Sequence, residues 1–142
     1  MNRLFAALSF CLLLAGFTAC THKNSVLPTA ADPTLTTNTP AAGNWHVNQY
    51  TNRGVDETPD FDGYTFSFNS DGTFTALRNS LSVTGTWTRS TDDGLQKLTL
   101  TISSATDAHL AELNEDWAIS LMTDSNINLA DDKGNHELRF QQ

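Results

Sequence analysis

The chain has 142 residues, of which 39% are hydrophobic and 17% are charged, and its formal net charge is −8. A chain this acidic lacks the basic surface that attracts nucleic acids or anionic lipid headgroups, so we expect neither as an electrostatic partner. The carboxylates concentrate in segments that also carry turn residues, and we interpret the acidity as a solubility feature.

The first twenty residues have the order of a secretory signal. Met1, Asn2 and Arg3 make a short basic start, residues 4–17 are mostly apolar, and small residues stand just before Cys20. The apolar run is shorter than the roughly 20 residues that a membrane-spanning helix needs. A cleaved signal is therefore predicted, with a retained N-terminal helix as the less favoured alternative.

The end of this segment, Phe17-Thr18-Ala19-Cys20, resembles the lipobox of bacterial lipoproteins, although Phe17 stands where the family usually has Leu. The resemblance implies that residues 1–19 are removed and that Cys20 is acylated and anchors the protein in a bacterial membrane. Cys11 would leave with the signal, which excludes a disulfide framework, a thiolate metal site and a cysteine nucleophile. The residues after Cys20 include no early Asp and no acidic run. By resemblance to sorting rules, this favours the periplasmic side of the outer membrane.

Residues 21–42 differ sharply in composition from the rest, with six Thr, three Pro, four Ala and few large apolar side chains. Such a segment cannot bury enough surface to offset the entropy of ordering it. We predict that residues 20–42 form a disordered tether, which would reach about 25 Å as a coil and at most about 70 Å when extended.

Residues 43–142 show the two-residue alternation of half-buried strands. Eight strands are predicted, at 44–50, 63–69, 73–78, 81–89, 96–103, 116–122, 126–130 and 135–141. Asp71-Gly72 is the strongest hairpin signal between them. Gly85, inside a strand, predicts a bulge or sharp bend. Thr106 or Asp107 can cap a short helix that ends near Leu113.

Eight short antiparallel strands predict an all-β domain that closes as an up-and-down barrel, because closure removes exposed strand edges. A two-sheet sandwich is the structural alternative. Three tryptophans, Trp45, Trp87 and Trp117, all fall in this domain and are predicted to lie in its core.

Gly43-Asn44-Trp45 at the first strand, together with residues 117–119, 127–129 and 138–140, resembles short lipocalin-like domains of bacterial lipoproteins. The resemblance implies an eight-stranded barrel whose interior binds a small apolar ligand. The candidate cavity residues are Tyr64, Phe66, Phe68, Trp87 and Trp117. An eight-stranded barrel can equally be filled by its own side chains. In that case the domain would serve as a tethered module that binds another envelope protein.

Lipocalins also place an Arg of the last strand over the first Trp, which implies a contact between Trp45 and Arg139. Alternation opposes this contact, because Leu138 and Phe140 face inward and Arg139 would then face solvent. The chain is shorter than a full lipocalin and lacks the C-terminal helix of that family.

No catalytic or metal-binding constellation stands out in the sequence. His136-Glu137 begins like a zinc-protease motif, but Phe140 occupies the position of the second His and the segment lies on a strand. The carboxylates Asp56, Glu57, Asp60 and Asp62 do not have the spacing of a calcium loop and are predicted to be solvated. We therefore expect neither enzymatic activity nor a cofactor.

Overall fold

The structure is a computed structural model that describes residues 34–35, 39–102 and 107–142. The predicted signal segment, Cys20 and most of the predicted tether lie outside the described residues. Within the described part, no helix is long and apolar enough to cross a membrane.

Strands account for nearly all the regular structure. They are β1 Thr34–Leu35, β2 His46–Asn52, β3 Val55–Asp56, β4 Thr65–Phe68, β5 Thr73–Arg78, β6 Leu81–Asp92, β7 Leu95–Ile102, β8 Asp116–Met122, β9 Asn126–Ala130 and β10 His136–Gln141. Two short helices accompany them, the 3-10 helix Thr58–Phe61 and α1 Ala108–Ala111. The prediction of an all-β domain is confirmed. The eight predicted strands correspond to β2 and β4–β10, whereas β1 and β3 were not predicted.

Nine strands form one antiparallel sheet in the order β3-β2-β10-β9-β8-β7-β6-β5-β4, and β1 pairs in parallel with β8. The two ends of the sheet approach each other at an isolated bridge between Trp45, just before β2, and Phe66 of β4. Past this bridge, β2 and β4 are not paired in the described part of the chain. The predicted closed eight-stranded barrel is therefore wrong, and so is the two-sheet sandwich, because the sheet is single and open.

Gly43 lies where the ladder with β4 stops on the N-terminal side of Trp45. The chain bends at Ala42 and Gly43, just before the Trp45–Phe66 bridge, and Gly43 has a φ of 153°, which side-chain-bearing residues rarely adopt. An added Cβ at Gly43 would also lie 2.6 Å from Nε2 of Gln142.

One face of the curved sheet forms the hydrophobic core. The predicted inward residues of β7, β9 and β10, among them Leu98, Leu129 and Leu138, are all buried. The alternation changes phase in β8, where the pairing with β9 shifts between Ile119 and Leu121. Ser120 is the extra residue, so Met122 is buried in place of Leu121, although alternation from Trp117 and Ile119 predicts that Leu121 faces inward.

Gly85 does not form the predicted bulge. It pairs in regular register with Phe74 on one side and Ile102 on the other. Its role is close approach, because an added Cβ would lie 2.2 Å from the carbonyl oxygen of Thr101. The irregularities of the sheet lie elsewhere, in β8 and at the β2–β10 pairing near Arg139.

Connections alternate between two ends of the antiparallel sheet. We call one the helix end, where the 3-10 helix and α1 lie, and the other the strap end. The strap is residues 39–44, which run over the sheet edge to the start of β2. Within the predicted tether, β1 pairs with β8 and Ala41 packs against the core. The tether residues that the structure describes therefore contact the domain.

Candidate functional site

A groove opens at the strap end, where the Trp45–Phe66 bridge stops. Residues 42–44 of the strap form one wall and residues 67–71 form the other, and the volume between them is about 590 Å³. We call this the seam groove. It lies where the Trp45–Phe66 bridge is not continued between Gly43 and Phe68.

The main chain of Phe68 faces the seam groove. The amide of Asn69 donates to the carbonyl of Thr73 over 2.9 Å. Because main-chain bonds alternate along an antiparallel ladder, every second residue of β4, counted back from Asn69, also bonds to β5. The N–H and C=O groups of the residues between them point away from β5. Phe66 is one of these, and it exchanges two hydrogen bonds of 2.8 Å with Trp45. Phe68 is the next: it lies opposite Phe74 at a position of the ladder without main-chain bonds to β5, and no described residue outside the strands bonds to its N–H or C=O.

A second cavity of about 300 Å³ adjoins the seam groove beneath the strap. Its lining includes Pro40 and Ala41 of the strap together with Phe68, Ser70 and Trp87. The indole N–H of Trp87 donates to the carbonyl of Asn69 over 2.9 Å, which fixes Trp87 under the turn between β4 and β5. This strap cavity brings two of the predicted ligand residues, Phe68 and Trp87, to the surface of an open space.

The other predicted ligand residues are packed among core side chains. Tyr64, Phe66 and Trp117 are at most 1% exposed. Phe66 stacks on Phe74 with ring centroids 5.7 Å apart and also meets Phe140 at 5.3 Å. The structure therefore brings Tyr64, Phe66, Phe68 and their neighbours together as a ring-filled interior, with Trp117 toward the helix end.

Trp45 and Arg139 do not contact each other. Trp45 is fully buried, and its indole N–H donates to the carbonyl of Ala41 over 3.0 Å. Arg139 faces outward, as alternation predicts, and its guanidinium lies 3.5 Å from the carboxylate of Glu137. The contact implied by the lipocalin resemblance is wrong, because inward Leu138 and Phe140 fix the opposite direction for Arg139.

A polar network ties α1 to the sheet at the helix end. The Tyr64 hydroxyl and the Arg78 guanidinium donate to the same oxygen of Asp107, over 2.6 Å and 2.7 Å. The other Asp107 oxygen accepts the amide of His109, which makes Asp107 the helix cap. The hydrogen bond from Tyr64 lowers the pKa of Asp107, while burial and Asp107 raise the pKa of Tyr64 to about 12. Because each carboxylate oxygen is used, this network is structural.

His136 lies in a polar cavity of about 240 Å³ at the helix end, beside Arg53, Glu115 and Asp131. Its Nε2 is 3.0 Å from Oδ1 of Asn52, and its Nδ1 is 3.9 Å from Asp131. Burial alone would raise the pKa of Asp131, but hydrogen bonds from the amides of His136 and Asn135 lower it. His46 instead bonds to the carbonyl of Tyr64, so the two histidines do not meet.

The acidic loop before β4 does not converge on a cation site. Asp56 accepts the amide and hydroxyl of Thr58 over 3.0 Å and 2.6 Å, and these bonds lower its pKa. Glu57 accepts from Asn52, and Asp60 lies 3.2 Å from His109. Across residues 39–102 and 107–142, no group of three or more His, Cys, Asp or Glu is arranged to hold a metal.

No family model matches this chain, and no curated protein sequence matches it. Among solved structures, the chain is similar to the crystal structure of a DUF4847 family protein from Bacteroides vulgatus. The two share 17% sequence identity with a TM-score of 0.52, over 71% of this chain and 92% of that chain. At this identity the likeness shows the fold alone.

Sequence reasoning missed two features of the described part. The open edge at Phe68 depends on where a ladder stops, which no local pattern encodes. Alternation with Leu98 predicts that Lys97 lies on the solvated face of β7, but it is 1% exposed and its ammonium bonds to Asp132. The small residues Ala118 and Ala130, which follow Lys97 across the sheet, were the available signal.

Proposed function

We propose that this protein is a bacterial envelope lipoprotein, anchored through an acylated Cys20, whose lipocalin-like domain is a tethered interaction module. One observation carries the interaction role: the rings of Phe66, Phe68, Phe74 and Phe140 fill the interior and contact one another at 5.0–5.7 Å. A filled interior leaves the two ends and the outer face of the sheet as the surfaces available for recognition.

We assign the binding of the partner to the strap end of the sheet. It carries the two adjoining cavities, and it borders Phe68, a buried residue with unpaired main-chain groups. A partner at this end would cover a surface that the domain leaves incompletely paired. The anchor and tether would keep the module at the membrane while leaving its rim accessible.

A second candidate function is the binding of a small apolar ligand. The strap cavity favours it, because its volume of about 300 Å³ is lined by Phe68, Trp87 and Pro40. That volume lies at the lower limit of small-molecule sites, which run from about 300 to 1,000 Å³. The ligand would then sit under the strap and not among the packed interior rings.

Photocrosslinking in the intact envelope tests the interaction role. A benzoylphenylalanine in place of Ser70, which borders both cavities, should crosslink to a discrete partner. The same probe in place of Ser80, exposed at the opposite end of the sheet, serves as the matched control. A product at both positions, or at neither, would count against a partner at the strap end.

Titration with a fluorescent fatty acid, alongside native mass spectrometry of envelope-purified protein, tests the apolar-ligand alternative. Quenching of tryptophan fluorescence at micromolar ligand would favour it, because Trp87 borders the cavity. The anchor itself is tested by Cys20→Ala, which should abolish labelling by radioactive palmitate and release the protein from the membrane fraction. Retained label in that variant would contradict the lipoprotein assignment.

A further inference from the structure

We propose that the partner of the seam groove is an extended peptide segment that adds to the open edge of β4 through the main chain of Phe68. This inference rests on the proposed interaction role and specifies the chemistry of the partner. The peptide would form hydrogen bonds with Phe68, one to its N–H and one to its C=O, and continue the sheet where the Trp45–Phe66 bridge ends.

The register of the bridge shows where the missing pairing lies. Trp45 pairs with Phe66 in antiparallel fashion, so the next inward-facing pair along the same ladder would join Gly43 to Phe68. This pair does not form, and the 590 Å³ seam groove lies between Gly43 and Phe68. An inserted strand is the element whose donors and acceptors match this vacant position, since neighbouring strands lie about 4.8 Å apart.

The unpaired N–H and C=O groups of Phe68 favour the binding of another main chain in the seam groove. Phe68 is only 3% exposed, yet its N–H and C=O have no partner among residues 39–102 and 107–142. Main-chain groups of buried residues are nearly always paired, and leaving one unpaired costs about 1–3 kcal/mol unless water satisfies it. A peptide that supplies both an acceptor and a donor would remove this cost and fix its own direction.

The same sheet already accepts an extended segment at another free edge. β1 contributes only two residues, and it pairs with Leu121 and Met122 at the part of β8 that β7 does not cover. Addition of a short strand to an open stretch of ladder is therefore a mode of pairing that this fold uses within its own chain.

The side chains around the groove indicate the composition of the peptide. Asn44, Ser67, Asn69 and Ser70 are uncharged, and Asp71 is the charged residue of the lining. Asp71 accepts the amide of Thr73 over 2.8 Å, and bonds to Thr73 lower its pKa, so it is ionised at neutral pH. With a chain net charge of −8, the groove favours a segment that carries Lys or Arg next to Asp71.

An intramolecular probe tests the proposal without a natural partner. The side chain of Gln142 lies 3.4 Å from the carbonyls of Ala41 and Ala42, so Gln142 is next to the groove. We would fuse the strand Lys-Thr-Val-Thr-Val to Gln142 of the full acylated chain through a flexible linker of about eight residues, which gives a roughly millimolar effective concentration. The control fusion carries Pro at alternate positions and lacks the donors that pairing requires.

Hydrogen exchange by NMR in detergent micelles is the readout, with the Phe66 amide as internal reference because it is bonded to Trp45. In the unfused chain, the Phe68 amide should exchange at least about 100-fold faster than that of Phe66. The strand fusion should slow Phe68 at least about tenfold, and the Pro fusion should not. Asp71→Asn, which keeps an acceptor for Thr73, should reduce the protection about threefold.

Two results would overturn the proposal: a Phe68 amide already as protected as Phe66 in the unfused chain, or no protection in the strand fusion. An Asp71→Asn variant with unchanged protection would overturn the preference for a basic segment. A discrete crosslink at Ser70 combined with a Phe68 amide that stays unprotected in the strand fusion would leave the interaction role standing and reject the extended-peptide mode. The two proposals therefore fail separately.

Discussion

Trp45 and Phe66 exchange two main-chain hydrogen bonds of 2.8 Å, and this bridge joins the start of β2 to β4 across the open sheet. The same Trp45 is fully buried, holds Ala41 of the strap through its indole N–H and meets the ring of Phe68 edge-on at 6.1 Å. One residue thus connects the seam, the strap and the aromatic interior.

Trp45→Ala should lower the free energy of unfolding by about 3–5 kcal/mol, because it empties a fully buried site and releases the strap. Chemical denaturation of the purified protein measures this change. Arg139→Ala, on the outer face of β10, is the matched control and should shift stability by less than about 0.5 kcal/mol. Equal effects from the two variants would show that Trp45 is peripheral to the fold.

The sequence predicts the strands of this domain well because the inward face of each strand consists of large apolar residues. Tyr64, Phe66 and Phe68 alternate with Thr65 and Ser67, and all three rings are buried. Alternation within each half-buried strand predicts which of its sides faces inward, without information from neighbouring strands. The five proposed ligand residues are inward for the same reason.

The closure of the sheet and the site at its edge could not be predicted in this way. In the sequence, Ser120 resembles any solvent-facing residue of an alternating strand. In the structure it is an inserted residue, so the alternation shifts by one and Met122 is buried in the core in place of Leu121. The turn at Gly43 and the vacancy at Phe68 depend on how two distant segments meet. Such relations are set by packing between strands and not by propensity within one.

Gly85→Ala should destabilise the domain by about 1–3 kcal/mol, although Ala is the smallest possible addition. The new Cβ would lie 2.2 Å from the Thr101 carbonyl and 3.0 Å from the Ile102 Cα, so the backbone of β7 must move. Thr86→Ala, at an exposed position one residue along β6, is the control and should cost far less. Thermal unfolding followed by circular dichroism checks the difference; a melting temperature of Gly85→Ala equal to that of the control would contradict the close approach.

The ion pair between Lys97 and Asp132 should respond unequally to loss of its two members. Lys97 is buried, whereas Asp132 is 61% exposed, so only the lysine depends on the pair for its hydrogen bonding. Asp132→Ala should cost about 1–3 kcal/mol, because it leaves a buried ammonium with poorer compensation. Lys97→Met keeps the apolar stem over Ala118 and should cost less than about 1 kcal/mol.

Urea denaturation of both variants decides the order, and Lys133→Met, an exposed lysine of the same loop, should be neutral and serves as control. A larger loss from Lys97→Met than from Asp132→Ala would show that the ammonium contributes net stability beyond its burial. The pKa of Lys97 is raised chiefly by its bond to Asp132. The stabilisation from this pair should therefore be present below the ordinary value of 10.5 and be lost as the pH rises through the folded pKa.

Asp107 should make the helix end sensitive to acid. The Tyr64 hydroxyl, the His109 amide and the Arg78 guanidinium hold its pKa below the ordinary value of 3.8. Because the folded pKa is depressed, the ionised carboxylate stabilises the protein fully above the ordinary pKa of 3.8. This contribution is lost as the pH falls through the folded pKa. Asp107→Asn should therefore cost about 1–3 kcal/mol at pH 7 and flatten the pH dependence of stability below about pH 4. Urea denaturation at several pH values measures how stability depends on pH in Asp107→Asn.

Tyr64→Phe tests the cause of the depressed pKa, because it removes the hydrogen bond that lowers the pKa of Asp107 most. The pKa of Asp107, titrated by NMR, should move upward in this variant. An unchanged pKa in Tyr64→Phe would show that the 2.6 Å hydrogen bond does not set the charge state of this cap.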